Sequence, residues 1–295
     1  MTDQQRADAR AVVDLVVDEG SWESWDGPVD WEPENYEYRS ALERARARTG
    51  VQESVVTGRG LIRGSAVVMV VSEFGFLGGS IGRSSGRRVV AAIERATRER
   101  LPVLALPASG GTRMQEGTPA FLQMVAITGA VAAHKSAGLA YLVYLRHPTT
   151  GGVFASWGSL GHLTWAQPSA LVGFLGPRVY EGLYGDSFPA GVQTADNLHA
   201  HGLIDAVVPL SQLGDAGGRV VHLLRAAEPE IPPPVGNDAP ASDVWRAVSA
   251  TRAPDRPGVI DLLDPGCSAV LHGDAPICVV LCRFGGHTAV VIGQD

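Results

Sequence analysis

Cysteine is scarce in this chain. Its 295 residues carry three, Cys267, Cys278 and Cys282, all late and none in a CxxC pair. An odd, clustered trio gives no basis for a disulfide framework or a four-cysteine zinc site, and it suits a reducing compartment. Long apolar runs are missing as well: no stretch reaches the ~20 residues that span a bilayer. The opening Met1-Thr2-Asp3-Gln4-Gln5-Arg6 has none of the apolar core of a secretory leader. A soluble, cytoplasmic protein without a membrane partner is expected. Net positive charge is absent too. The formal charge of −7 argues against a general nucleic-acid partner, while leaving room for a local basic patch toward a phosphorylated ligand. Two familiar signatures do not occur: the GxGxxG of dinucleotide folds and the GxxxxGK[ST] of a P-loop.

What is present is ordinary in bulk and unusual in detail. A hydrophobic fraction of 45% and a charged fraction of 19% are those of a globular protein able to bury a large core in one or two domains. The 36 glycines point to many tight turns. Residues 5–17 and 39–48 read as helices, separated by an acidic, aromatic segment around Trp22 and Trp25. A hairpin follows, with strands 54–62 and 66–71 about the turn Arg63-Gly64-Ser65. The turn Phe74-Gly75-Phe76-Leu77-Gly78-Gly79-Ser80 leads to a helix over 83–100. Strand and helix then alternate: strand 101–106, helix 113–137, strand 139–145, helix from about 151, strand 169–173, helix 177–184, strand 204–208, helix 210–227. Such alternation with short loops argues for stacked β–α units and parallel strands.

Residues 228–243 are proline-rich and read as an extended linker or arm. Beyond them Arg283-Phe284-Gly285-Gly286-His287-Thr288-Ala289-Val290-Val291-Ile292 aligns with Leu61-Ile62-Arg63-Gly64-Ser65-Ala66-Val67-Val68-Met69-Val70. Both read as strand, glycine turn, apolar strand, a weak internal repeat. The expected organisation is an N-terminal segment 1–50, a main domain 51–227, a linker 228–254 and the incomplete start of a second copy over 255–295.

Two Gly-Gly pairs carry the chemistry. Gly110-Gly111 sits in Pro107-Ala108-Ser109-Gly110-Gly111-Thr112-Arg113-Met114-Gln115-Glu116-Gly117, and Gly151-Gly152 in Pro148-Thr149-Thr150-Gly151-Gly152-Val153-Phe154. Each follows an apolar run and precedes a helical stretch. A glycine pair there bares backbone N–H groups that can hold a phosphate or an oxyanion; the bland alternative is a turn that lets helix and strand pack closely. Arg113, read in the first turn of the following helix, opposes the helix dipole, so a ligand carboxylate or phosphate competes with a surface ion pair as its reason. His162 follows the second pair at helical spacing without a visible carboxylate partner, and no side-chain acid–base constellation emerges. Two backbone anion sites without a nucleophile suit chemistry on a thioester enolate.

Ser109-Gly110-Gly111-Thr112-Arg113-Met114-Gln115-Glu116-Gly117 resembles the SGGxRMQE signature of the carboxyltransferase β subunit of bacterial acetyl-CoA carboxylase. The likeness continues through Pro148 to Ser156, Gly161-His162-Leu163, Leu171 to Val179 and Gly202 to Val208. The resemblance implies an α/β fold of the ClpP/crotonase superfamily, a crotonase-like stack of ββα units. It also implies transfer of a carboxyl group from carboxybiotin, borne on a separate biotin carboxyl carrier protein, to acetyl-CoA or a short acyl-CoA, giving malonyl-CoA for fatty-acid or polyketide synthesis. ATP would be used only by a separate biotin carboxylase. By resemblance Gly151 and Gly152 supply the oxyanion amides and Gly110 and Gly111 shape the adjoining wall. Arg113 then contacts a carboxylate, and Thr150, Val153, Phe154 and Arg178 lie on the substrate side. The family's β subunits usually begin with a four-cysteine zinc ribbon, and no cysteine precedes Cys267, so no zinc is expected. Residues from about 250 resemble the start of the α half of fused β–α carboxyltransferases. A carboxyltransferase α subunit, in a hetero- or homo-oligomer, is therefore the expected partner that completes the site. A malonate or malonyl-thioester decarboxylase subunit and a non-catalytic assembly subunit are the alternatives.

Overall fold

The computed structural model describes residues 7–29, 31–224, 244–250, 253, 258–259, 261, 263, 268–274, 277–284 and 287–294. The proline-rich stretch 228–243 and the glycines at 285–286 lie outside them. The chain divides into two units, residues 1–221 and 222–295, and the N-terminal 50 residues belong to the first.

The first unit is built on a seven-stranded sheet. A helix α1 (Ala9–Val16) is capped by Asp8, whose side chain accepts the Ala11 N–H. Strand β1 (Glu23–Ser24) and helix α2 (Tyr36–Thr49) precede the hairpin β2 (Val55–Ile62) and β3 (Ser65–Ser72). The hairpin is antiparallel, with Ile62 opposite Ser65 across the expected two-residue turn. β3 is almost wholly buried, as a continuous apolar run in a central strand requires. Helix α3 (Arg83–Arg98) crosses to β4 (Val103–Leu106), α4 (Thr118–Ser136) crosses to β5 (Tyr141–Leu145), and β7 (Leu163–Ala166) and β9 (Ala206–Val207) extend the same parallel array. α3 buries Val89, Ala92, Ile93 and Ala96, the i, i+3, i+4, i+7 stripe of an amphipathic helix. That stripe meets Ile127 and Val131 of α4 over Val68, Val70, Val103 and Val143 of the sheet.

A second ladder of short extended segments lies at the strand ends. After β4, Ser109 pairs with Thr149 and Thr112 with Ile81. After β5 comes β6 (Thr149–Thr150), which pairs in parallel with β8 (Val172–Gly173), the continuation of β7. Helices follow: α4 after the first segment, α5 (Gly151–Phe154) after β6 and α6 (Pro177–Tyr184) after β8. Strand, short strand, helix is the repeating ββα unit of the crotonase-like fold. Helix α7 (Ala195–Ala200) belongs to the first unit, and helix α8 (Leu213–Leu224) runs past the end of that unit at Val221.

Several boundaries differ from the sequence reading. The helix expected from Arg113 begins at Thr118, because Gly117 takes a left-handed φ of 57° and Met114–Glu116 form a single 3-10 turn. The helix expected from 151 ends at Phe154. Strand β7 was not read from the sequence, and the strand expected over 169–173 shrinks to Val172–Gly173.

In the second unit, helix α9 (Val244–Ala250) precedes an antiparallel sheet of β10 (Ser268–Asp274), β11 (Ile277–Phe284) and β12 (His287–Gln294). Phe284 faces His287 across a two-residue connection, the register of Ile62 against Ser65 in the first hairpin. β10 flanks β11 antiparallel as β1 flanks β2. The aligned sequences of the internal repeat thus share a hairpin register and a third flanking strand. No helix among the described residues is long and apolar enough to cross a membrane.

Candidate functional site

Three glycine turns meet at the carboxyl ends of β3, β4 and β5. Gly110 donates its N–H to Gly78 O at 2.9 Å, Ser109 to Pro148 O at 2.7 Å and Thr150 to Ser109 O at 2.9 Å. The turns pack so closely that side chains have no room. A Cβ on Gly79 would lie 2.0 Å from Ala108 O, far inside contact distance. Gly111, at φ 112°, occupies a region that L side chains rarely enter.

The turns line a cavity of about 770 Å³ whose walls include Leu77, Gly78, Ser80, Gly110, Thr112 and Thr150, with Met114 and Gln115 on one side and His147, Pro148 and Leu171 on the other. Its size is that of a small-molecule site. Leu77 holds a left-handed φ of 48°, a costly conformation for a branched side chain and one that concentrates at functional turns.

Donor accounting shows which of the expected amides are committed within the fold. Of the four glycines singled out, Gly110 spends its N–H on Gly78 O, Gly111 on Ser109 Oγ (3.0 Å) and Gly151 on Phe174 O (2.9 Å). Only the Gly152 N–H is without an acceptor among the described residues, and Gly152 is not among the cavity's lining residues. Cavity-lining amides without an acceptor among the described residues include those of Gly78 and Thr112, on two of the three glycine turns, together with those of Phe74, Leu77, Met114, Gln115 and Gly176. The turn holding Gly78 was read as a glycine turn and given no role. The signal was available: a Gly-Gly pair after a buried strand, in the same place as the other two.

Arg113 is likewise committed within the fold. It is fully buried and unavailable to a ligand carboxylate. Its guanidinium forms a two-pronged pair with Glu53, Nη2 to Oε2 at 2.8 Å and Nη1 to Oε1 at 3.1 Å, and also donates to Ser54 Oγ, Ser80 O and Glu116 Oε1. Glu116 accepts from the Tyr38 hydroxyl and from the Arg83 N–H at the start of α3. Burial alone would lower the Arg113 pKa, but the facing Glu53 carboxylate and the Tyr38 oxygen raise it above the usual arginine value. Burial pushes the Tyr38 hydroxyl up, against the opposing pull of Arg113. Arg113 thus bolts Ser80, on the cavity wall, to the strand entry at Glu53–Ser54. It precedes the helix rather than sitting in its first turn, which removes the dipole argument for a ligand.

Of the remaining expected substrate residues, Thr150 lines the cavity. Val153 is buried in the core, Phe154 packs against that core, and the side chain of Arg178, on α6, lies outside the described residues. His162 accepts the Tyr141 N–H at Nδ1 (3.1 Å), and its pKa is lowered by burial and by Lys135. It is a neutral structural imidazole. His147 does line the cavity, but its Nδ1 accepts the Leu171 N–H at 3.1 Å. No carboxylate is among the described cavity-lining residues, so what the site offers a ligand is chiefly backbone N–H donors.

The sequence profile of the Carboxyl transferase domain matches residues 3–260. This chain belongs to the carboxyl transferase family. A probable biotin-dependent acyl-coenzyme A carboxylase beta3 subunit of Mycobacterium tuberculosis is 56% identical over 289 residues, covering 95% of this chain and 58% of that protein. The chain therefore spans little more than half the length of these relatives. The acetyl-coenzyme A carboxylase carboxyl transferase subunit beta of Synechococcus elongatus is 41% identical over 225 residues, 75% of this chain and 74% of that one. Among solved structures, transcarboxylase 12S with methylmalonyl-coenzyme A and methylmalonic acid bound matches with a TM-score of 0.74 at 20% identity, over 99% of this chain and 57% of that chain. A Pseudomonas malonate decarboxylase heterodimer matches with a TM-score of 0.58 at 21% identity, over 83% of this chain and 93% of that one. These likenesses show a crotonase-like carboxyl transferase fold.

Proposed function

We propose that this carboxyl transferase domain forms the acyl-CoA side of a biotin-dependent acyl-CoA carboxyltransferase site. The observation that carries the reading is the glycine-walled cavity, in which the amides of Gly78 and Thr112 lack acceptors. Such donors fit an oxygen that gains negative charge, as a thioester carbonyl does when its α-carbon is deprotonated. The same donor chemistry fits the ureido oxygen of biotin, which when bound brings the carboxyl group to be transferred. This chain's residues do the rest of their part by holding: Gly78 and Thr112 donate to the thioester oxygen, the close-packed turns keep them in place, and the cavity walls shield the reacting carbon from water. The proton from the α-carbon has no carboxylate to go to among the described cavity residues, so the acceptor belongs to the second half of the site.

That second half is an α-type carboxyltransferase partner, with a biotinylated carrier and a biotin carboxylase completing the complex. Exposed Met114 on the cavity wall, exposed Phe121, Leu122 and Val125 on α4, and exposed Val179 and Leu183 on α6 support a protein partner. The strands β10–β12, which reproduce the register of the first hairpin, support the start of an α-type half. Acetyl-CoA is the proposed carboxyl acceptor, with propionyl-CoA as its competitor; one methylene separates them by only ~1–3 kcal/mol. The test combines this chain, the α half and carboxylated carrier with acetyl-CoA or propionyl-CoA, and follows malonyl-CoA or methylmalonyl-CoA formation. Carrier-dependent product is expected. Release of CO2 from malonyl-CoA at an equal rate without carrier would assign the same amides to a decarboxylase instead.

A further inference from the structure

One sequence motif has no part in the function proposed above. Gly78-Gly79-Ser80-Ile81-Gly82 has the GxSxG spacing of a serine nucleophile elbow, and Ser80 lines the glycine-walled cavity. A nucleophilic serine needs an adjacent base to take its proton. Among the described residues the partner of Ser80 Oγ is instead Arg113 Nε, at 3.3 Å, and a guanidinium carries donors only. The hydroxyl oxygen accepts from Arg113, so its own proton is directed away from that side chain.

The other polar atoms of Ser80 are engaged. Its N–H donates to Leu77 O at 3.3 Å. Its carbonyl accepts from Ser54 Oγ at 2.7 Å and from Arg113 Nη2 at 2.9 Å. Its φ of −68° and ψ of 140° are relaxed extended backbone. The residue is thus fixed at three atoms, and its half-buried side chain keeps one hydrogen to offer. The surrounding ladder puts that side chain among the donors already described. Ile81 donates its N–H to Gly111 O at 3.0 Å, and Arg113 donates its N–H to Ile81 O at 2.9 Å, a parallel bridge of Ile81 to Thr112. Ser80 therefore belongs to the turn of Gly78 and lies next to the turn of Thr112. A hydroxyl whose oxygen accepts from a cation is polarised and becomes a stronger donor.

We propose that the Ser80 hydroxyl is a further hydrogen-bond donor to the acyl oxygen, joining the amides of Gly78 and Thr112 as the thioester carbonyl gains negative charge. The inference rests on the acyl-CoA carboxyltransferase reading of this cavity. No bond forms between Ser80 and the acyl group; its proton stays on Oγ. A donor whose bond strengthens as charge develops lowers the barrier more than it tightens substrate binding.

The test uses the full chain reconstituted with the α half and carboxylated carrier. Ser80→Ala is expected to lower kcat for malonyl-CoA formation by about tenfold or more, with KM for acetyl-CoA changed by less than about threefold. Ser80→Thr, which restores the hydroxyl on unstrained backbone, should recover most of the loss. The infrared band of bound acetyl-CoA labelled with carbon-13 at the thioester carbonyl should move to higher frequency in Ser80→Ala and return in Ser80→Thr, a pattern that a packing defect would not give. Turnover by Ser80→Ala within about twofold of the parent, an unmoved carbonyl band, or a loss that Ser80→Thr does not reverse overturns the assignment. An acyl adduct on Ser80 in quenched parent reactions overturns it in favour of a nucleophile. If the parent complex itself forms no carrier-dependent product, the carboxyltransferase reading falls and the role of Ser80 with it.

Discussion

At 110–111 and at 151–152 the chain places the same dipeptide after a buried parallel strand, yet the two turns sit differently. The first lines the cavity through Gly110 and Thr112 and is held from beneath by Arg113, whose N–H bonds Ile81 O and whose side chain grips Ser80. The second stands behind the first: a Cβ on Gly111 would come within 3.5 Å of Gly152 N. One turn faces the cavity with its glycine, while the glycines of the other stand behind it and only Pro148 and Thr150 reach the wall. Glycine therefore marks close approach of backbone to backbone, and which amides remain for a ligand is decided by what each turn leans on.

Removing the clamp should do most to separate the two turns. Arg113→Met leaves Glu53, itself 2% exposed, as an unpaired buried charge, so a loss of about 3–5 kcal/mol in urea unfolding is expected. A loss below 1 kcal/mol would show that the network does not hold the turn. Gly111→Ala comes next. Its φ of 112° strains any side chain, at about 1–3 kcal/mol, and the displaced wall should lower kcat/KM in the reconstituted carboxyl-transfer assay with KM also raised. Smaller still is Gly152→Ala. Its backbone is unstrained, and the new methyl meets only Thr112 Oγ1 at 3.1 Å and Met124, so about 1 kcal/mol of overpacking is expected. If Gly152→Ala abolished turnover while Gly111→Ala spared it, the roles of the two turns would be reversed.

The local elements were legible where one sequence pattern dominates. The hairpin β2–β3 follows from its β-branched run and two-residue turn, and α3 from an apolar stripe at helical spacing. α4 was read to begin five residues early, since Gly117 breaks a stretch that otherwise looks continuous. β7 escaped because Leu163-Thr164-Trp165-Ala166 has neither alternation nor a β-branched run; it is a strand by virtue of β5 and β9 on either side. The site was legible as two glycine turns after two strands, the third turn, at Gly78-Gly79, being legible only as a turn. Its donors were not, because the acceptors that consume Gly110 and Gly151 are carbonyls of Gly78 and Phe174, brought near only by the fold. Arg113 misled for the same reason, its partners Tyr38 and Glu53 lying far upstream.

Tyr38, Glu53, Arg113 and Glu116 join α2, the entry to β2, the first glycine turn and the start of α3. Contacts so distant along the chain are slow to form, because loop-closure entropy is paid before they reward it. The wall of the cavity is consequently a late product of folding, assembled cooperatively. Partly folded chains would expose glycine turns but present no ordered donors, so ligand competence itself reports completion of the native state.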